Sequence, residues 1–244
     1  MKIGLIIRGH ERNVFFNQRL YNFVKSLTDE FDTDIYIHSW NKSVGEISWR
    51  DLSQYKIREI DEQQIREYFK EIVIKKILID DETKITLNGQ TEGNVCIGPC
   101  PRLSWKRMWY GKYRIIDYIK NKSGIFYDFV LNIRFDLFEN INSIYEESEI
   151  LAKVRHLASF KVVNQLYFLK DQPCSGIDNC YIGNQTVMFF LTENFHNRLE
   201  EIESRYLSNF YTEYLVYFET MKLNYQIWLT VLQQTHNVTL VRLE

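Results

Sequence analysis

Short apolar runs alternate with helical periodicity over the first forty residues of the chain. Residues 2–7 form a compact apolar run, which predicts a strand. Apolar residues then recur at helical spacing at Phe16, Leu20, Phe23 and Leu27. A second apolar run covers residues 33–38. Because a strand, a helix and another strand in succession predict a right-handed parallel crossover, we expect an α/β fold.

The hydrophobic pattern is less regular between residues 48 and 103. It predicts a third strand over residues 55–60, a charged helix over 62–75 and a hairpin or strand pair over 77–87. Asn88-Gly89 supplies a turn signal after the hairpin, and residues 90–101 are expected to form a loop. Ser104 is the expected cap of a helix that continues to Lys120.

The second half of the chain is expected to add further strands and helices. The predicted strands are an apolar one over residues 129–133, a broken one over 156–168 and a last one over 238–243. The predicted helices cover residues 185–205 and the aromatic-rich residues 211–221.

Composition and charge narrow the classes of protein. The chain is 45% apolar and 25% charged, as in ordinary globular proteins, and its formal net charge is −2. No polyanion-binding field follows from that charge, so we expect no nucleic-acid partner. The pattern predicts no transmembrane segment and no signal peptide. We therefore expect a cytoplasmic protein, with peripheral contact at the inner face of the membrane left open.

Four cysteines are spaced as Cys96-x3-Cys100 and Cys174-x5-Cys180. A zinc site built from all four is conceivable, but structural zinc sites usually use paired Cys-x2-Cys. Free thiols in loops are the simpler interpretation.

The segment from Tyr127 to Phe138 holds the first candidate for ligand chemistry. Its apolar strand delivers Arg134 and Asp136 to the strand exit. Parallel-sheet enzymes bind ligands just beyond the carboxyl ends of strands. An aspartate there can hold a hard divalent cation, and the cation can hold a diphosphate. The alternative is a structural pair between the arginine and a nearby carboxylate.

Three more segments are candidates for binding an anionic or aromatic ligand. The first turn places Gly9 between Arg8 and Arg12, which suits close approach of an anion, although capped, solvated arginines are the simpler interpretation. His38 and Trp40 end the second predicted strand and are expected to line a pocket. The basic helix after residue 103 supplies Lys106, Arg107, Lys112 and Arg114, which serve equally well as a solvated helix face.

Four segments then follow one another in a characteristic order. They are Lys2-Ile-Gly-Leu-Ile-Ile-Arg-Gly-His-Glu-Arg12, Asp34-Ile-Tyr-Ile-His-Ser-Trp-Asn41, Met108-Trp-Tyr-Gly-Lys-Tyr113 and Tyr127-Asp-Phe-Val-Leu-Asn-Ile-Arg-Phe-Asp136. In this order they resemble a group of small glycosyltransferases from bacterial capsule and lipopolysaccharide loci, with relatives in large viruses. Each segment is short, so the resemblance depends on their order from residue 2 to about residue 190.

The resemblance implies a GT-A-like fold with a mixed, mostly parallel central sheet and a nucleotide-sugar at its carboxyl edge. In such enzymes an Asp-x-Asp element holds Mn²⁺ or Mg²⁺ on the donor diphosphate. The matching positions here are Arg134-Phe-Asp136, so only Asp136 remains as a metal ligand and Arg134 is free to neutralise diphosphate charge. A late loop with Asp178 before Tyr181-Ile-Gly183 is similar to the family's loop, which makes Asp178 the candidate catalytic base. Glu213 and Glu219 are reserve candidates.

The functional prediction is therefore transfer of a sugar from a nucleotide-sugar donor to a glycan or lipid-linked glycan acceptor. The implied organisation is one domain, with residues 1–138 binding the donor and residues 139–244 the acceptor. Two alternatives remain open. One is a catalytically silent nucleotide- or glycan-binding protein, and the other is a different metal-dependent enzyme that uses nucleotides.

Overall fold

A computed structural model describes residues 1–48, 51–139, 146–159, 166–168 and 177–236, with side chains omitted for 166–168, 177 and 225–236. Six strands form one sheet in the order β3-β2-β1-β4-β6-β5. The strands are β1 Lys2–Arg8, β2 Asp32–Trp40, β3 Ile74–Asp80, β4 Phe129–Arg134, β5 Leu166–Phe168 and β6 Cys180–Gly183.

The first four strands are parallel, and the last two run antiparallel. β1 lies between β2 and β4 and is parallel to both, and β3 extends the parallel part beyond β2. β6 pairs antiparallel with β4, and β5 pairs antiparallel with β6. The predicted α/β class with a mixed, mostly parallel sheet flanked by helices is confirmed. Strands from both predicted halves of the chain belong to this sheet.

Helices cover both faces of the sheet. They are α1 Arg19–Glu30, α2 Glu62–Phe69, α3 Arg102–Tyr118, α4 Glu147–Ala158, α5 Gln185–Asn197, α6 Leu199–Ser204 and α7 Glu213–His236. Short 3₁₀ turns follow β4 at Phe135–Phe138 and precede β6 at Ile177–Asn179. Within the described residues, none of these helices is both long enough and apolar enough to cross a bilayer.

Strand alternation divides the core into two separate clusters. Alternate strand residues such as Leu5, Ile37 and Leu131 pack with α1, α2 and α4, and we call this side the apolar face. The intervening residues, such as Tyr36 and Val130, pack with α3, α5, α6 and α7 on the other side, the mixed face. Both clusters are buried, and the strand residues of the mixed face end in His38, Arg8 and Arg134 at the carboxyl edge of the sheet.

The structure corrects the prediction for residues 55–87. Residues 55–60 form no strand and make only a single bridge, between Glu59 and Lys42. The predicted hairpin is one parallel strand, β3, followed by a turn. The helix expected over 62–75 ends at Phe69, because Lys70 has a φ of +52° that stops the helix.

Four further predictions differ from the structure in their boundaries. Helix α3 begins at Arg102 with Pro101 before it, and the Ser104 hydroxyl bonds the Ile47 carbonyl instead of capping the helix. Residues 156–158 belong to α4 and not to a strand, and within the described part of the predicted strand over 156–168 the extended residues are those of β5. The helix expected over 185–205 is interrupted at Arg198, and α7 extends well beyond residue 221. The predicted strand at 238–243 lies outside the described residues.

Candidate functional site

The polar residues of the mixed face meet at the carboxyl edge of the parallel strands. Arg8 is the register partner of both His38 and Arg134, so these three residues form a row across β2, β1 and β4. β6 is antiparallel, and its first residue, Cys180, pairs with Ile133. The 3₁₀ turn that carries Asp178 therefore reaches the same edge.

A cleft opens at this edge. Seven of the nine predicted site residues line it: Arg8, Gly9, Arg12, His38, Trp40, Arg134 and Asp178. The other two, Lys106 and Asp136, do not line it. Helix α3 contributes one wall through Trp105, Arg107, Met108 and Gly111, and the start of α7 contributes Glu213.

Arg8 is the cation at the centre of the row. Its side chain is buried, and its Nη2 donates to the backbone oxygen of Asp178 at 2.7 Å. Burial lowers the pKa of Arg8 to about 10, which leaves the guanidinium charged at neutral pH. Gly9 follows with a φ of +105°, a conformation that favours glycine, and its amide donates to the His38 carbonyl oxygen at 3.1 Å.

Arg134, Asp136 and Arg12 form one ion-pair cluster beside Arg8. Arg134 binds Asp136 through two nitrogens, with Nε 2.7 Å from Oδ1. Arg12 Nη1 lies 2.7 Å from Oδ2 of the same carboxylate. Arg134 also donates from Nη1 to Oδ1 of Asn179 at 3.2 Å, which connects β4 to the turn before β6.

This geometry does not fit Asp136 as a metal ligand. Both of its oxygens are bound by guanidinium groups, and its side chain is only 4% exposed. A cation at that carboxylate would have to displace one arginine or lie beside two positive charges. Within the described part of the chain, no group of three His, Cys, Asp or Glu side chains is arranged to hold a metal ion. The predicted Mn²⁺ or Mg²⁺ therefore has no set of ligands around Asp136 among the described residues.

An aromatic wall lies on the β2 side of the cleft. The Trp40 ring stacks between His10, at a centroid distance of 5.9 Å and an interplanar angle of 29°, and Tyr110, at 5.9 Å and 20°. His38 meets Trp40 edge-on at 4.9 Å. Flat aromatic surfaces of this kind suit a nucleotide base or a sugar ring.

His38 is fixed by Asp80 and by the backbone of α3. Its Nε2 lies 3.2 Å from Asp80 Oδ2, which also accepts from Arg114 Nε at 2.9 Å. Burial alone would raise the pKa of Asp80, but the bonds from His38 and Arg114 lower it below its usual range. A Cβ at Gly111 would lie 2.7 Å from His38 Nδ1, so the glycine allows this close packing. Burial lowers the pKa of His38, which favours a neutral ring at pH 7.

Two carboxylates at the cleft are candidates for proton transfer. Asp178 is 5% exposed and lines the cleft on the side of Arg8. Glu213 begins α7 and lines the cleft from its own side. The other reserve candidate, Glu219, lies elsewhere, because it accepts from the Tyr206 hydroxyl at 3.0 Å and pairs with Arg205 at 3.2 Å.

Lys106 lies apart from the cleft. Its Nζ contacts the Asn88 carbonyl oxygen and the Glu200 carboxylate, and its side chain is buried beside them. Burial raises the pKa of Cys96 to about 11 and that of Cys100 to about 12, so both thiols are protonated at neutral pH. The four-cysteine site would include Cys174, which lies outside the described residues.

Two titratable residues that line the cleft, His10 and Glu82, were not among the candidates from the sequence. His10 donates from Nδ1 to the Lys42 carbonyl oxygen at 3.0 Å. Glu82 pairs with Arg107, which the sequence offered only as part of the basic face of its helix, at 3.0 Å between Oε2 and Nη1. His10 lies inside the Arg8–Arg12 turn and could have been included, whereas Glu82 carries no local pattern that separates it from surface charges.

Comparison of the chain with family models, with curated proteins and with solved structures gave no match. The assignment to a family of glycosyltransferases consequently stays a prediction from the four sequence segments.

Proposed function

We propose that the protein is a glycosyltransferase that uses a nucleotide-sugar donor and a glycan or lipid-linked glycan acceptor. The observation that carries the proposal is the convergence of Arg8, Arg12 and Arg134 with Asp178 in one cleft at the carboxyl edge of a mostly parallel sheet. Ligands of α/β proteins bind at this edge. The cytoplasm is the proposed location, since nucleotide-sugars are made there and a lipid-linked acceptor would bring the protein to the membrane surface.

The donor diphosphate would lie against the arginines. Arg8 and Arg134 are neighbours in register, and each has a guanidinium at the cleft, so two positive groups face the same small volume. Guanidinium groups bind phosphate oxygens with two parallel hydrogen bonds. Negative charge grows on the leaving diphosphate as the sugar departs, and fixed cations stabilise that charge without reorganisation.

The nucleotide base or the sugar would contact the aromatic wall. Trp40 is only 3% exposed and stacks with His10 and Tyr110, so a ligand would meet the edge that this wall presents to the cleft. Such preorganised rings lose little conformational freedom when a ligand stacks on them or packs against their edges.

Asp178 is the proposed base for the acceptor hydroxyl. In an inverting reaction the acceptor oxygen bonds to the anomeric carbon, and the bond from that carbon to the phosphate oxygen breaks. The electron pair leaves with the nucleoside diphosphate, and the hydroxyl proton passes to the Asp178 carboxylate. Arg8 binds the backbone oxygen of Asp178, so the cation that faces the diphosphate also fixes the position of the base.

The test is a screen of UDP-, GDP- and CDP-sugars for release of nucleoside diphosphate, with and without Mn²⁺. We expect slow release of the diphosphate from one nucleotide class, since water can take the place of the acceptor hydroxyl. The matching free diphosphate should raise the melting temperature. Release of a monophosphate would instead indicate a phosphohydrolase, and absence of both release and stabilisation would reject the donor site.

A silent nucleotide- or glycan-binding protein is the second candidate. The observation in its favour is the ion-pair cluster in which Arg134 and Arg12 occupy the Asp136 carboxylate. That cluster replaces the metal-ligating pair of carboxylates that the resemblance implies. Stabilisation by a nucleoside diphosphate without turnover of any sugar donor would support this second function.

A further inference from the structure

Lys112 follows Gly111, a residue of the cleft wall, and its side chain makes no hydrogen bond within the described part of the chain. Its side chain is 1% exposed, and its Nζ is among the buried nitrogens without an acceptor there. The ammonium position is bounded by two rings, with Nζ 3.6 Å from the centroid of Trp109 and 5.1 Å from that of Tyr181. Buried lysines are usually paired, because an unpaired ammonium group in the protein interior is costly.

The other lysine buried on α3 shows what an ordinary pairing looks like. Lys106 is 4% exposed, and its Nζ contacts the Glu200 carboxylate and a carbonyl oxygen. The two lysines are six residues apart, which places them about 120° apart around the helix. Lys106 therefore faces α6, whereas Lys112 faces the sheet below the arginine row.

The charges that act on Lys112 come from each element packed against it. Arg8 of β1 and Arg134 of β4 disfavour its protonated form, and Asp178 before β6 favours it. Tyr181 of β6 contributes a neutral ring, and α5 contributes Phe195, which stacks on the far side of Trp109 at 4.2 Å. Burial is the largest influence and, with the two arginines, lowers the pKa of Lys112 well below its ordinary value.

We propose that Lys112 is a proton-accepting cation of the anion site: its amine is uncharged while the cleft holds no anion, and it takes a proton from solvent when a diphosphate group binds beside Arg8 and Arg134. The identity of the anion as a diphosphate rests on the proposed function. The uncharged state of the amine in the ligand-free protein is independent of that function, so the amine and the anion can be tested separately.

Electrostatics make this coupling strong. A unit negative charge roughly 7 Å from an amine raises its pKa by about 2 at an effective dielectric constant near 20. A bound diphosphate carries more than one such charge and also neutralises the two arginines that oppose protonation. Between its two aromatic rings, the protonated amine then gains a cation–π attraction. The site would thus become fully cationic only when an anion is present.

The first experiment uses the ligand-free protein. Unfolding equilibria of wild type, Lys112→Met and Lys106→Met are measured in urea from pH 6 to pH 9. In the unfolded chain the lysine is protonated throughout this range, whereas the proposal requires an unprotonated amine in the folded protein. Lowering the pH therefore favours unfolding of wild type relative to Lys112→Met, by about tenfold per pH unit above the folded-state pKa. The unfolding constant of wild type divided by that of Lys106→Met should not change with pH. If the same quotient for Lys112→Met is also independent of pH, the proposal is overturned.

The second experiment uses wild type and does not depend on the folding of any variant. Calorimetric titrations with UDP, GDP and CDP at pH 8, in buffers of different ionisation enthalpy, give the number of protons taken up on binding. At that pH the ligand phosphates are already ionised, because their last pKa lies near about 6. We expect close to one proton per site in wild type, with a loss of this uptake in Lys112→Met.

The outcomes separate the two ideas. Binding without proton uptake would overturn the role of Lys112 and leave the donor site intact. Absence of binding by all three diphosphates would reject both the donor site and the coupling, even where the pH-dependent unfolding ratio shows an uncharged amine.

Discussion

Successive residues of β4 point to opposite sides of the sheet and meet different surroundings. Leu131 packs on the apolar face against α1 and α4, among aliphatic and aromatic side chains. Its neighbour Asn132 lies on the mixed face, where its Nδ2 has no acceptor within the described residues. The same alternation places Ile7 on the apolar face and Arg8 on the mixed one.

The difference shows how one sheet serves two purposes. The apolar face supplies hydrophobic burial without a charged side chain in its cluster, so it can hold the strands in register. The mixed face is apolar near the middle of the strands and becomes charged at their carboxyl ends, where Arg8 and Arg134 lie side by side. Buried like charges oppose folding, and the hydrophobic burial on the apolar face offsets that cost.

The largest effect is expected from removing the proposed base on the mixed face. In Asp178→Asn the shape of the side chain is kept and the proton acceptor is lost, so transfer should fall by about 10²–10⁴-fold. Asp178 also acts on the charges of Arg8 and Lys112, so the variant should lose some stability but stay folded, and diphosphate binding should persist. Turnover with the donor identified by the screen, together with urea unfolding, measures both quantities.

Glu213→Gln is the matched control, because Glu213 lines the same cleft from α7. If Asp178→Asn transfers sugar within a few-fold of wild type while Glu213→Gln does not, the base is Glu213. If neither variant loses activity, a mechanism that needs no such carboxylate base replaces the proposal.

The second largest effect is expected from removing the negative charge of Asp136, which pairs with Arg12 and Arg134 at the carboxyl edge of the sheet. In Asp136→Asn, Arg12 and Arg134 lose their shared negative partner, and removal of one member of a buried ion pair costs about 3–5 kcal/mol of stability. The exposed pair of Glu62 with Arg66 on α2 provides the control, since Glu62→Gln should cost less than about 1 kcal/mol. Urea unfolding at low salt measures the difference.

Manganese provides the counter-test for Asp136. We expect Mn²⁺ alone to leave the melting temperature of wild type unchanged, because the carboxylate is bound by two guanidinium groups. If Mn²⁺ raises the melting temperature of wild type but not that of Asp136→Asn, Asp136 is a metal ligand after all.

The third effect compares the two faces directly within β4. Leu131→Ala should lower the free energy of unfolding by about 2–5 kcal/mol, because it leaves a cavity in the cluster of the apolar face. Asn132→Leu should change it by less than about 1 kcal/mol, since a buried amide nitrogen without an acceptor is exchanged for apolar atoms. Equal losses in both variants would show that the mixed face is as important for stability as the apolar face.

Much of the fold was predictable because the central strands are strongly patterned. Apolar runs mark β1, β2 and β4, and their last residues identify Arg8, His38 and Arg134 at the sheet edge. β3 was predicted in the wrong form, because its residues are only partly buried and two lysines interrupt its apolar positions. An edge strand of this kind lacks the continuous pattern of a central strand.

The charged residues of the site were harder to predict. Helix α3 carries several basic residues, and sequence alone gives no reason to place Lys112 under the cleft and Lys106 beside α6. The sequence left two alternatives for Asp136, a metal ligand or a structural partner of Arg134. Only the three-dimensional structure shows that Arg12 and Arg134 share its carboxylate. Tertiary contacts between distant segments decide such cases.

The smallest effect concerns the aromatic wall and depends on pH. His10 donates from Nδ1 to the Lys42 carbonyl, so its Nε2 carries the lone pair and lies 3.7 Å from Glu82 Oε2. Burial lowers the pKa of His10 to about 4, below the value of about 6.5 for an unfolded chain. The unfolded state therefore binds a proton that the folded state does not, and stability is lost as the pH falls from 6.5 towards 4.

His10→Gln removes this proton linkage and keeps a donor for the Lys42 carbonyl. The stability of wild type relative to the variant should be constant above pH 7 and should decline by up to about 3 kcal/mol between pH 6.5 and pH 4. Carboxylates that titrate in the same range affect both proteins alike, so they cancel in the difference. His196 has a pKa lowered in the same direction and is present in both proteins. Parallel stability curves for wild type and variant down to pH 4 would mean that His10 becomes protonated in the folded cleft, in which case the wall beside Trp40 carries a positive charge and belongs with the arginine row.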